Sequence, residues 1–253
     1  MKRLSVILFC SVLLCLSCSS YLRYYPYSFH PEPDRKVTKV VLAPLNLFFP
    51  KPSQIGNSGS AVHASIAAYL TEHGVRVEPS ETTKDMWEEE KRRSGGVYNP
   101  VDGTLDEKKF GATARNAVVR MCNVCSADAV IFPEIILRTA TLDRNLIYWD
   151  GTVQYIEKES GGYVDPFTET FSGNSNALSL RIFIIGKDGH LILRNIAGIE
   201  SLYKAAWDGL NRKWVFRKEM LADSGKIKKA VAISLHPFIF NPDYPRNPSF
   251  SKE

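Results

Sequence analysis

The chain has 253 residues, 44% of them apolar and 23% charged, with a formal net charge of +5. Removing Lys2 and Arg3 with a leader leaves +3 on about 235 residues, which suits one large domain or two small ones and is too little charge to argue for a nucleic-acid partner. Of five cysteines, Cys10 and Cys15 fall in the leader and Cys18 at its end. Only Cys122 and Cys125 remain, which excludes a disulfide-framework protein.

Residues 1–17 have the plan of an export signal: Lys2 and Arg3, an apolar run from Val6 to Leu16, and small Ser17. The run is shorter than the roughly 20 apolar residues a spanning helix needs. The tail Cys15-Leu16-Ser17-Cys18 resembles the bacterial lipobox, with Cys15 where Leu is usual. The resemblance implies cleavage before Cys18 and lipidation of its thiol. Two or three acyl chains then hold the protein at the membrane, since each buried CH₂ contributes about 0.8 kcal/mol. Ser19, rather than Asp, follows the cysteine, which by the same resemblance implies the outer membrane with the domain facing the periplasm.

Residues 18–36 read as the lipidated cysteine and a flexible tether, with Tyr21, Tyr24, Tyr25, Tyr27 and Phe29 interleaved with Pro26, Pro31 and Pro33. Fully extended, Ser19 to Pro33 would reach on the order of 50 Å. Residues 37–240 read as the folded domain. Val37–Pro44 is a nearly all-apolar strand with both faces covered. Ser60 caps a helix whose Val62, Ile66, Tyr69 and Leu70 share a face, and Gly74 ends it. Val75–Pro79 is a short strand. Thr82 to Ser94 is a charged surface helix with i,i+4 pairs Glu88–Arg92 and Glu89–Arg93.

Thr104 and Glu107 have capping-box spacing. They start a helix with Phe110, Ala114, Ala117, Val118 and Met121 on one face, ending near Cys122–Ser126. Ala127–Leu137 is a strong strand, in which Pro133 implies an edge or bulge. Ile147–Tyr155 alternates as one half-exposed strand, and a Gly/Ser/Asn-rich connection covers Glu159–Asn176. Leu178–Ile185 and Leu191–Ile196 flank Gly186-Lys187-Asp188-Gly189, the clearest hairpin. Trp207–Leu221 is ambiguous. Ser224–Leu235 is a helix with Ile227, Ala230, Val231 and Leu235 inward and Lys226, Lys228 and Lys229 outward, closed by Pro237. Residues 241–253 read as a loose tail. The order predicts a single α/β sandwich with a mixed sheet, parallel early and antiparallel late.

Val40–Pro44, Tyr69–Val77, Ala127–Ile131 and the Asp188-Gly189 hairpin resemble the periplasmic lipoprotein domains of the curli-secretion-channel and penicillin-binding-protein-activator type. The likeness covers about 150 residues from Val37. No amphipathic segment suited to a channel accompanies it, so it implies an accessory or binding role rather than a pore.

Chemistry-bearing candidates are few. Cys122 and Cys125 sit at a helix C-terminus, where the dipole does not favour a thiolate. A local disulfide, buried thiols, a redox pair and part of a metal site all remain open, though no paired histidines complete a metal set. Asp102, Asp106, Asp143, Asp150 and Asp165 lie beside Gly, Pro or Asn and read as turn residues. His236 reads as a helix-end residue. No nucleophile elbow, phosphate loop or dinucleotide fingerprint occurs. Arg212, Lys213, Arg217, Lys218, Lys226, Lys228 and Lys229 form a basic cluster facing only Glu219 and Asp223. It is either a solvated face or a contact for headgroups or an acidic partner.

These features predict a non-catalytic, lipid-anchored envelope protein without cofactor or metal. Its domain binds another envelope protein or the peptidoglycan machinery. A periplasmic hydrolase, a thiol oxidoreductase using Cys122 and Cys125, and a subunit of an oligomeric envelope complex are the competing expectations.

Overall fold

The computed structural model describes residues 27–30, 36–55, 58–78, 82–164, 171–208 and 211–245. The leader, Cys18, Asp165 and the last residues of the tail lie outside them. The chain is an α/β protein with a mixed sheet, ordered β1-β8-β7-β4-β2-β3. The strands are β1 (Ser28–Phe29), β2 (Lys39–Leu42), β3 (Arg76–Glu78), β4 (Ala129–Asp143), β7 (Gly173–Gly186) and β8 (Leu191–Ser201). β2 runs parallel to both β3 and β4, and the β4–β7, β7–β8 and β1–β8 pairs are antiparallel.

Helices cover both faces of one end. Helix α1 (Gly59–Glu72) buries Val62, Ile66 and Leu70, and α4 (Ser224–Ser234) buries Ile227, Ala230 and Val231. They share one core with Val40, Leu42, Ile131 and Ile135 of the sheet, α4 lying against α1, β7 and β8 and α1 reaching β3. On the opposite face α2 (Thr83–Arg93) and α3 (Glu107–Cys125) cover Val41, Ala43, Val130 and Phe132. The all-apolar Val40–Leu42 run therefore belongs to a strand buried on both sides. Helix α2 is less superficial than its charge suggests, because Met86 and Trp87 are buried and Phe48 packs edge-on to the indole at 4.6 Å. Glu89 pairs with Arg93 at 2.6 Å as expected, while Glu88 takes Lys91 rather than Arg92.

Several local expectations change. Helix α3 is capped by Asp106, which accepts from the Lys109 N–H at 2.9 Å; Thr104 instead donates to Asp102. Helix α1 begins at Gly59, before Ser60. Pro133 lies inside the central strand, not at an edge. β2 ends opposite Ile131, and Asn46 takes over beyond it. The Asn46 N–H donates to Pro133 O, and its side-chain amide exchanges two bonds with Ile135. The proline thus stands where no neighbouring strand requires its missing N–H. Ile147–Tyr155 is a hairpin, β5 (Leu146–Trp149) and β6 (Thr152–Tyr155), turned by Asp150 and Gly151 at φ 36° and 71°. Trp207–Leu221 also resolves into β structure: β9 (Tyr203–Asp208) pairs with β10 (Asn211–Phe216).

Two segments expected to be loose are docked. Ser28 and Phe29 pair with Arg194 and Leu193, so the short segment Tyr27–His30 is docked on the domain and covers part of the β8 edge. The span between Cys18 and Tyr27 is then at most about 30 Å, not 50 Å. Tyr244 stacks on His236 with centroids 4.0 Å apart, and Tyr27 meets both rings edge-on.

Beyond the helices β4 and β7 continue together to the Leu142–Gly173 pair. One face of this overhang carries a third core of Ala140, Leu142, Ile147, Trp149, Ile156, Val164, Ala177 and Ala205. Gly198 lies under it: a Cβ there would approach the Trp149 indole at 2.6 Å and Thr152 Cβ at 2.8 Å. Gly198→Ala is expected to cost about 1–3 kcal/mol by overpacking. Gly111→Ala, inside α3 with open space around it, should instead stabilise by about 0.5–1 kcal/mol. Urea unfolding midpoints check both, and a neutral Gly198→Ala would contradict this packing.

Candidate functional site

Where β9, β10 and the start of α4 approach the segment after β6, a cleft of about 520 Å³ opens, lined in part by Glu157, Tyr163, Glu200, Arg217, Lys218 and Lys226. Its centre is the Glu157 carboxylate. Arg217 Nη1 donates to Oε2 at 2.8 Å, Lys226 Nζ binds Oε1, and Lys204 Nζ stands 3.7 Å from Oε2. Burial pushes this carboxyl up, but the hydrogen bonds and charges of Arg217 and Lys226 outweigh it and hold the pKa at about 2. Arg217 is itself buried, and its Nε donates to Ser201 O at 2.7 Å.

Glu200, near the end of β8, is the opposite case. Burial pushes its carboxyl up and Glu157 adds to that, against the Leu221 N–H and the charges of Arg217 and Lys226. It accepts the N–H of Leu221, whose φ of 59° is a left-handed conformation unusual for leucine. Asp223 then caps α4 through the N–H groups of Gly225 and Lys226. A chain of acids thus fastens residues 217–226 to the sheet. Glu157 is anionic at any physiological pH and Glu200 is sealed against the backbone. Neither has the poised, accessible carboxyl that acid–base catalysis needs.

The basic cluster is divided among several places. Arg217 and Lys226 bind Glu157 instead of facing only Glu219 and Asp223, so Lys226 is not outward. Lys218 lines the cleft rim. Lys213 lies 3.9 Å from Asp208 on the hairpin. Lys228 and Lys229 line a separate groove between α1 and α4, with Tyr69 and Glu72. Arg212 belongs to β10. Glu157 and Glu200 were not singled out from the sequence; Glu200, a charge within the apolar run Ile196–Leu202, carried a signal.

Cys122 is buried in the α3 core, Cys125 is half-buried, and the sulfurs are not bonded to each other. The Cys125 carbonyl accepts Lys39 Nζ at 2.7 Å. Asp102 serves a turn through Thr104, as expected. Asp150 does more than turn the chain: buried, it accepts Arg138 Nε at 3.0 Å and Ser179 Oγ at 2.6 Å. His236 Nδ1 accepts the Asn241 N–H at 3.2 Å, and burial lowers its pKa. Among the described residues no three His, Cys, Asp or Glu side chains gather to hold a metal ion, and no helix is long and apolar enough to cross a membrane.

No protein-family model matches this chain, and no match was found among curated proteins.

The folded pKa of Glu157, about 2 against an ordinary 4.5, makes its contribution to stability full above pH 4.5. That contribution is lost as pH falls towards 2. Glu157→Gln should therefore cost about 2–3 kcal/mol at pH 7 and progressively less below pH 4.5. Urea titrations of both proteins from pH 7 to pH 2.5 test this; a pH-independent difference would contradict the ionic account.

Proposed function

We propose that this protein is a lipid-anchored envelope protein, held at the outer membrane through Cys18, whose periplasmic domain binds a partner in envelope assembly, secretion or peptidoglycan synthesis. The anchor rests on the leader and its lipobox resemblance. The binding role rests chiefly on the cleft around Glu157. Its ionic centre is committed internally, while Tyr163, at 60% exposure, and Phe216, at 43%, stand at its rim. Rigid aromatic side chains around a fixed polar centre suit partner recognition, where Tyr, Trp and Arg carry much of the energy. The resemblance to envelope lipoprotein domains supports the same reading.

Palmitate labelling of the full chain tests the anchor. Wild type should incorporate label and fractionate with the outer membrane, and Cys18→Ser should do neither; equal label in both would sink the anchor. For the cleft, Tyr163→Ala with Phe216→Ala should abolish crosslinking to the envelope partner without altering the unfolding midpoint. Undiminished crosslinking would rule this rim out as the interface.

A further inference from the structure

The overhang of β4 and β7 has a second face, on the α1/α4 side of the sheet but beyond those helices. Pairing in register puts Thr139 beside Asn176 and Thr141 beside Asn174. Leu137 precedes them on β4, and Tyr148 continues the row through its pairing with Thr141. Val153 and Tyr155 extend the same face onto β6. Leu137, Thr139, Thr141, Asn174, Asn176, Val153 and Tyr155 are all exposed. Along one side Trp214 and Tyr203 rise from the β9–β10 hairpin and, with Thr139 and Asn174–Asn176, enclose a groove of about 400 Å³. Trp214 is 41% exposed, and Phe171 braces its ring with centroids 5.1 Å apart.

The make-up of this face selects among occupants. Its middle carries amides and hydroxyls but no Lys or Arg, so it lacks the cations that phosphate backbones or anionic headgroups require. It also lacks the apolar centre of a protein–protein interface, because Thr139, Asn174 and Asn176 stand there instead. Asn side chains offer two donors and an acceptor, and Thr a donor and an acceptor. On a strand they recur at two-residue intervals, about 6.8 Å, on a surface extended enough for a chain-like ligand. A braced and partly exposed indole provides an apolar platform. Uncharged hydrogen-bonding groups beside an aromatic plane match a polyhydroxylated ring, whose equatorial hydroxyls point sideways and whose C–H face is apolar.

We propose that this face binds a neutral glycan chain, with a pyranose ring stacked on Trp214 and its hydroxyl or acetamido groups held by Asn174, Asn176 and Thr139. The groove borders the Glu157 cleft, with Phe216 of the rim packing edge-on against Tyr203. Asn174, Asn176 and Trp214 line only the groove, and none of it depends on the anchor, so either proposal can fail alone.

Titration of the purified full chain with N-acetylglucosamine hexamer and with glucose hexamer, both β-1,4-linked, tests the proposal. Trp fluorescence and calorimetry are the readouts. Saturable binding of either oligomer is expected, and the preference between them distinguishes a neutral N-acetylamino-sugar strand from a plain hexose polymer. Trp214→Ala should weaken binding about tenfold. Asn174→Asp with Asn176→Asp, which leaves the aromatic platform intact, should weaken it comparably. Because these side chains are exposed, unchanged circular dichroism should accompany both losses. No saturable binding of either oligomer, or binding that neither variant reduces, would overturn the proposal.

Discussion

The structure depends on a mismatch of length between its central strand pair and its helices. β4 is fifteen residues long, about 50 Å, and it stays paired with β7 over nearly all of it. The fourteen residues of α1 reach only about 21 Å, α4 is shorter, and on the other face even the nineteen residues of α3 reach about 28 Å. Helices on both faces can therefore cover only one end of the sheet. The other end must find cover from hairpins or remain open, and it does both.

That division organises the chemistry. At the helical end the sheet is apolar on both faces, and the side chains there explain stability. At the overhang one face is closed by β5, β6 and β9 around Trp149, while the other shows Asn, Thr and Tyr to solvent. Between the two cores on the covered face lies a polar band. Arg181 binds buried Glu134 at 2.5 Å, and Arg138 binds buried Asp150. Burial pushes the Glu134 carboxyl up despite Arg181. The Glu157 network then fastens residues 217–226, so the β9–β10 hairpin and the start of α4 hold their places beside the overhang. The proposed contacts lie on this braced region, which suits recognition because little ordering is required on binding.

How far this was legible in the sequence depends on the range of each signal. Val62, Ile66 and Leu70, or Ala114, Ala117, Val118 and Met121, mark helix faces by spacing alone, and Gly186–Gly189 marks its hairpin by turn chemistry. Parallel and antiparallel pairing followed from element order. The β5–β6 turn was hidden because Ile147, Trp149, Gly151 and Val153 keep a strand's alternation straight through it. Thr104 and Asp106 are both good caps, and only geometry chooses between them. The Glu157 centre joins residues up to 69 positions apart, so no local pattern announces it. Seven cations close in sequence looked like one patch because sequence does not show that a single acid can claim two of them. Ser28 and Phe29 looked unstructured because the strand they pair with, β8, lies far along the chain.

The central claim is that recognition belongs to the overhang. Photo-crosslinking residues placed one at a time in the native envelope test it most directly: Tyr155, Tyr163 and Phe216 at the overhang, Val124 and Lys187 at the end where β4 begins. The account predicts adducts from the first group and none from the second. Adducts from Val124 or Lys187 with none from the overhang would contradict it.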